Sequence, residues 1–319
     1  MTSKDLFTYS EKILKVSQLA AISVFDYIGK QNEFSADRAA VESMRKELNK
    51  IDFKATIVIG EGERDKAPML YIGEQVGTGK TNFSFDIALD PLEGTKNTAN
   101  NEENALTVLA LGDKNSFLYA PDVYMEKIAV GPGLPKNFLD LDNPLENTLE
   151  KLSFYKKKKL SDLVVCVLDR PRHKLIFKEL EKKKCKKFLI SDGDIFGAIS
   201  TGIERFNIDM YVGIGGAPEG VLAASALKCL NGQMQCRLVF NDKKQKIRAK
   251  KMGIKDLERK YQIKDLIKKN TIFVATGVTD GNLLKGVKKR KNKFITNSLI
   301  ITTKTKKINF INSEFSIRP

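Results

Sequence analysis

Apolar residues Ile13, Leu14, Val16, Leu19, Ala20, Val24 and Ile28 recur near a period of 3.6 and predict a helix over 10–28. Ala40, Val41, Met44 and Leu48 repeat the pattern, predicting a second helix from an N-cap at Ser35 to about Asn49, with Asp37 in its first turn. The pattern then changes to short apolar runs. Residues 55–59 read as a buried strand stopped by Gly60-Glu61-Gly62-Glu63. Strands are also predicted at 83–89 (ending at Asp90-Pro91), 105–111 and 123–130, followed by a turn or linker at Gly131-Pro132-Gly133-Leu134-Pro135. In the second half, a strand at 163–168 leads into Arg170-Pro171-Arg172-His173 and a helix over 174–183. A short strand at 188–190 feeds Ser191-Asp192-Gly193-Asp194 and another helix. A strand at 208–212 feeds the polar, Gly-rich string 213–220, and a helix follows over 221–230. The last clear strand is 271–276. Alternating strands and helices, with polar strings at the strand ends, predict an α/β fold.

The 319 residues suit two ordinary domains or one large layered unit, and 42% hydrophobic content can bury a core. No apolar run is long enough to span a membrane, and the amphipathic start does not read as a secretory signal. Cys166, Cys185, Cys229 and Cys236 form no C-x-x-C pair, so reduced thiols in a cytoplasmic setting are expected. A single His argues against multi-His metal sites and a His-centred triad.

A net charge of +16 raises a nucleic-acid reading, but its distribution argues against one. Residues 1–150 hold 16 basic and 24 acidic residues, net −8, and 191–240 hold 3 and 5, net −2. The excess lies in Lys-rich stretches such as 156–159 and 243–246, with 44 Lys to 11 Arg overall. Such runs predict solvated helix faces and loops, not a specific nucleic-acid surface.

The two acidic segments also hold the ordered Gly-rich strings. Glu61 and Glu63, Asp90 and Glu93, and Glu219 each stand at the carboxyl end of an apolar strand, where open α/β sheets gather ligands. Carboxylates without His or Cys suit hard cations such as Mg²⁺ or Mn²⁺. Gly94-Thr95 and Gly215-Gly216 allow close backbone approach to an anion. Neither the dinucleotide fingerprint nor a P-loop lysine is present, and the spacing in Asp90-Pro91-Leu92-Glu93-Gly94-Thr95 does not fit the D-x-D-x-T of aspartyl-phosphate enzymes. Taken alone, Tyr124 also reads as a packing residue, Asp192 and Asp194 as N-caps, Arg170 and Arg172 as surface charges, and His173 as a helix-start residue.

The strings IGEGERDKAPMLYIGE, DIALDPLEGT, APDVYMEK, SDGD and GIGGAPEGV occur in order between about Ser10 and Thr302. They resemble those of class II fructose-1,6-bisphosphatases. DPLEGT is also similar to the wider superfamily of metal-dependent, lithium-sensitive sugar and inositol phosphatases. The resemblance implies a layered αβαβα sandwich acting as one catalytic unit, with a metal lobe near 1–150 and a sugar-phosphate lobe near 151–319 that contributes Glu219. It implies Mn²⁺- or Mg²⁺-dependent hydrolysis of fructose 1,6-bisphosphate, in carbohydrate metabolism, by in-line attack of water. A preference for sedoheptulose 1,7-bisphosphate, or for both sugars, is the alternative; a basic nucleic-acid-binding protein without catalysis is a distant one.

By the same resemblance, the metal ligands are Asp37, Glu61, Asp90, Glu93 and Glu219. Substrate contacts fall on Glu93, Gly94, Thr95, Tyr124, Arg170, Pro171, Arg172, Asp192, Gly193, Asp194 and Gly216. Thr95, with Glu61 or Asp65, would orient the attacking water, aided by the dipole of the helix after Gly94. Family members are commonly homo-oligomers, so a dimer or tetramer without membrane partners is expected. Two departures stand out: Arg170 replaces a frequent Lys, and Glu33 stands where a Lys often precedes the first metal Asp.

Overall fold

The computed structural model describes residues 5–62, 69–81 and 83–316. The chain divides into two units, Met1–Leu118 with Lys268–Pro319, and Tyr119–Ile267. The expected lobes, 1–150 and 151–319, differ from this division at both ends. The difference arises because the C-terminal strands pair back onto strands of the first hundred or so residues.

In the first unit, α1 (Ser10–Val24) and α2 (Glu33–Leu48) precede β1 (Lys54–Ile59), β2 (Gln75–Val76), β3 (Ser84–Glu93), α3 (Thr95–Asn100) and β4 (Leu106–Asp113). From the far end of the chain come β11 (Thr271–Gly277), β12 (Lys288–Arg290), β13 (Lys293–Thr302) and β14 (Asn309–Ser316). Among the described residues they form one sheet in the order β12-β13-β11-β4-β3-β1-β2, with β14 added to β13. β1 and β3 are parallel and the other pairs antiparallel.

The apolar stripe of α1 joins the core through Ile13, Leu14, Val16 and Ala20, against Leu109, Leu111 and Val274 of the sheet. Ser17 interrupts that stripe and is fully buried. Its Oγ lies 2.7 Å from Thr107 Oγ1 and donates to Thr276 Oγ1 at 2.8 Å. These bonds satisfy the buried hydroxyls and fix where the helix sits on the sheet.

Three boundaries depart from the sequence reading for physical reasons. Asn32, not Ser35, caps α2: its side chain accepts the Ser35 N–H at 2.9 Å, and the helix opens at Glu33. β3 does not stop at Asp90-Pro91. Asp90 pairs with Val108 and Glu93 with Leu106, so three steps on β3 match two on β4, and Pro91 sits in the bulge where it withholds no ladder bond. Nor is 271–277 the last strand, since β12 to β14 follow it.

The second unit contains β5 (Tyr124–Val130), α4 (Leu145–Lys156), β6 (Val164–Leu168), α5 (Lys174–Lys182), β7 (Lys186–Ile190) and α6 (Asp194–Ser200). β8 (Met210–Gly216), α7 (Ala217–Cys229), β9 (Gln233–Val239), α8 (Lys243–Lys251), β10 (Tyr261–Gln262) and α9 (Ile263–Leu266) complete it. Its sheet runs β10-β9-β5-β8-β6-β7, with the β6–β7 and β6–β8 pairs parallel. The first half of the Gly-rich string expected after a strand at 208–212, residues 213–216, is itself strand, and α7 begins at Ala217 with Pro218 in its first turn. The lysine run 156–159 is not wholly solvated. Lys158 Nζ reaches both oxygens of the buried Asp209, at 2.8 and 3.0 Å, and Lys156 Nζ approaches at 3.3 Å.

The fold is therefore mixed α/β with two helix-flanked sheets. No helix among the described residues is long and apolar enough to cross a membrane.

Candidate active site

In the first unit, Asp37 lies in the second turn of α2 and Glu61 just past the end of β1, both half-buried. Burial raises the Asp37 carboxyl above its ordinary range. Burial, and then the neighbouring charge of Asp37, push Glu61 up to about 7. The two acids therefore face one another in a partly dry setting.

Asp90 and Glu93 flank the β3 bulge. Asp90 Oδ1 accepts the Leu92 N–H at 3.1 Å, and Glu93 is buried. Gly94 then turns the chain with φ of +86°, and a Cβ there would stand 3.3 Å from Ala105 Cα. Thr95 opens α3, half-buried. α3 has only six residues, fewer than two turns, so the expected helix dipole reduces to the amides of a short helix start. Asp65 lies outside the described residues. Among those described, no three His, Cys, Asp or Glu converge to hold a metal ion.

In the second unit a buried ion pair organises the site. Lys127 of β5 and Asp194 of α6 are 1% and 6% exposed. Lys127 Nζ bonds Asp194 Oδ2 and donates to Gly216 O at 2.7 Å. Burial raises the Glu219 carboxyl first, the Asp194 charge raises it further, and Lys127 opposes both. Glu219 Oε2 is shielded from solvent and has no hydrogen-bond partner among the described residues. The N-cap reading of Asp194 does not hold, because Asp194 is the first residue of α6. It is the counter-ion of Lys127, and Gly193 takes the N-cap position with φ of +81°.

A third group surrounds the arginines. Pro171 opens a short 3₁₀ turn over 171–173. Arg172 Nε donates to Ile214 O at 2.9 Å, and its guanidinium lies 5.0 Å from the centre of the half-exposed Tyr124 ring. Arg170 makes a looser approach to Asp192, at 3.9 Å, and Asp192 Oδ1 accepts the Gly193 N–H at 3.1 Å.

Sequence reasoning missed two residues here. Lys127 was the only cation in the otherwise apolar stretch 125–130, apart from its neighbour Glu126, and that contrast was a readable signal. His173 was set aside as a helix-start residue, yet it is fully buried and both ring nitrogens are engaged. Two clefts of about 460 and 430 Å³, beside Asn137 and Gln235 and beside Phe25 and Thr279, contain none of the expected site residues.

Residues 8–315 match the family model for bacterial fructose-1,6-bisphosphatase, glpX-encoded. The chain is 42% identical over 313 residues to fructose-1,6-bisphosphatase 1 class 2 of Escherichia coli (strain K12), covering 94% of this chain and 92% of that protein. It is 41% identical to the class 2 enzyme of Haemophilus influenzae, covering 94% and 93%. It is 38% identical to a D-fructose 1,6-bisphosphatase class 2/sedoheptulose 1,7-bisphosphatase of Trichodesmium erythraeum, covering 95% and 94%. A solved inositol monophosphatase from Anabaena (Nostoc) sp. PCC 7120 overlays 62% of this chain and 72% of that one with a TM-score of 0.34 at 12% identity, and nothing is built on so loose a likeness.

Proposed function

The chain belongs to the bacterial class II fructose-1,6-bisphosphatases, and we propose that it hydrolyses fructose 1,6-bisphosphate to fructose 6-phosphate and phosphate. The supporting observation is the pair Asp37 and Glu61. Each is an acid held in a half-buried position beside another acid, and Glu61 is raised to about 7 as a result. A hard divalent cation relieves that conflict, and an all-carboxylate donor set suits one. The shielded Oε2 of Glu219 also lacks a hydrogen-bond partner among the described residues. Asp37, Glu61, Asp90 and Glu93 of the first unit, and Glu219 of the second, are the proposed metal ligands, with Mn²⁺ or Mg²⁺ as the ions. Such a cation would polarise a phosphoryl oxygen and lower the pKa of a bound water.

The protein's own groups do the rest. The Thr95 hydroxyl orients the attacking water at the start of α3. Gly94, free of a Cβ, lets the backbone amide approach the phosphate. Tyr124, Asp192 and the Arg170-Pro171-Arg172 turn hold the sugar and the phosphate that is not cleaved. Arg172 is well set for this: its Nε is spent on Ile214 O, and its Nη1 and Nη2 make no hydrogen bond among the described residues. Arg suits bidentate contact with phosphate. A soluble homo-oligomer in the cytoplasm completes the proposal, and four buried cysteine thiols fit a reducing setting.

The deciding experiment is phosphate release across a panel of sugar phosphates with Mn²⁺, with Mg²⁺ and with a chelator. Fructose 1,6-bisphosphate should lead with metal and lose turnover with chelator. The panel includes sedoheptulose 1,7-bisphosphate, the second activity in the cyanobacterial relative's name. Arg172→Ala should raise KM for the bisphosphate with little change in kcat, by about 1.5–3 kcal/mol. Equal weakening of mono- and bisphosphate hydrolysis would remove Arg172 from the distal clamp.

A further inference from the structure

We propose that His173 is a positioning residue: it holds the Ile214 segment of β8 in register, and so sets Arg172 for the phosphate that is not cleaved. The inference rests on the clamp reading of Arg172 given above and adds a residue to it.

The sheet leaves a gap at this point. β6 pairs with β8 only through Val165 with Met210 and Cys166 with Tyr211. Beyond Tyr211, the edge of β8 that faces away from β5 has no further ladder partner in β6, which runs on to Leu168 paired with β7 before the chain turns through 170–173. In a β-strand the N–H and C=O of one residue point to the same side. Ile214 N–H donates to His173 Nε2 at 2.8 Å, and Ile214 C=O accepts from Arg172 Nε at 2.9 Å. Two consecutive side chains therefore replace the missing ladder partner.

The tautomer follows from the partners. The Ile214 amide can only donate, so Nε2 must accept. His173 Nδ1 lies 2.8 Å from Leu168 O, which can only accept, so Nδ1 carries the proton. The ring is thus neutral and bonded through both nitrogens: to the last residue of β6 and to β8. Its burial is complete, and the Phe177 ring closes on it edge to face at 6.5 Å between centres. On the opposite side a Cβ at Gly213 would stand 3.2 Å from His173 Cε1 and 3.3 Å from Nε2, so a side chain at 213 would press on the ring. Arg172 is fixed at one end by Ile214 O and at the other by the Tyr124 ring. A shift of Ile214 moves the first of these anchors directly.

The test uses the full chain without a histidine tag, because His173 is its single histidine. A histidine-selective ¹⁵N label then reports one imidazole. At neutral pH it should show the neutral ring protonated on Nδ1; a charged ring, or one protonated on Nε2, overturns the inference. His173→Phe keeps a ring and drops both bonds. KM for fructose 1,6-bisphosphate should rise about tenfold with kcat within about twofold, and fructose 1-phosphate hydrolysis should be unchanged. The double variant with Arg172→Ala should raise KM no further than Arg172→Ala alone. If Arg172→Ala leaves KM unchanged, the clamp reading itself fails. If Arg172→Ala raises KM but His173→Phe does not, or if their effects multiply, the positioning role of His173 fails. Should His173→Phe not fold, Gly213→Ala displaces the intact ring instead; it should raise KM for the bisphosphate and shift the ¹⁵N signals, and movement of neither overturns the inference.

Discussion

At Gly215 a Cβ would stand 1.8 Å from Asp194 Oδ2, and at Gly216 one would stand 1.9 Å from Glu219 Oε2. At Gly220 it would meet Met125 Sδ at 2.5 Å, beside Lys127. The Gly-rich string makes room for the protein's own buried acids and for the lysine that balances them. Gly215→Ala should therefore displace Asp194 and cost most of the activity, checked by steady-state kinetics on protein whose circular dichroism is unchanged. Lys127→Met is a sharper test. It removes the cation from a buried pair and leaves Asp194 beside Glu219, a loss of about 3–5 kcal/mol in urea unfolding. Adding Asp194→Asn should recover part of that stability but not turnover. A single variant as stable as wild type would show that the pair is not needed. None of this was legible from the string alone, because Asp194 and Lys127 come from distant parts of the sequence. A glycine in sequence announces that something is close, without saying what.

The β3 bulge and the start of α2 carry Asp90, Glu93 and Asp37, three of the four acids proposed as metal ligands in the first unit. The bulge at Pro91 separates Asp90 from Glu93 along the strand, and Gly94 turns the chain into Thr95. Asp90→Asn keeps the Oδ1 that accepts the Leu92 N–H, so the fold should persist while turnover falls below a few per cent at saturating metal. Substantial activity in that variant would remove Asp90 from the ligand set. Asn32→Ala takes the cap from the helix that carries Asp37 and should cost about 1 kcal/mol, read as a lower melting temperature. Elements buried on one or both faces were legible: α1 through its stripe, and β1, β4 and β5 through their apolar runs. β14 escaped because its residues 309–316 alternate between exposed and half-buried, and none is fully buried. α8 escaped because Ala249 is its one buried residue. Where an element gives little to the core, its hydrophobic pattern has little to say.

On the scale of the whole chain, the raised Glu61 links folding to pH. Its ordinary value is 4.5 and its native value about 7, so between these the folded protein holds a proton that the unfolded chain releases. The native state binds more protons there, and stability falls as pH rises through that window. Chelator-treated protein should melt at a higher temperature near pH 5 than near pH 7.5, and Glu61→Gln should flatten the slope. A gap between wild type and Glu61→Gln that does not change with pH would count against the assignment. Saturating Mn²⁺ should raise the melting temperature, since a ligand at a hundred times its dissociation constant adds about 2.7 kcal/mol to the native state. The division of the chain has a different consequence, in the order of synthesis. The second unit is one continuous stretch, Tyr119–Ile267, whereas the first is closed by Lys268–Pro319. On the ribosome, β4 is made early, yet the strand that covers its outer edge, β11, emerges only after the whole second unit. Until then a buried-type strand, Leu106 to Asp113, presents an open apolar edge, the form that recruits chaperones or pairs wrongly. The unit made second can thus finish folding first, and a nascent chain arrested before residue 271 should hold a protease-resistant second unit beside a first unit that is still cleaved.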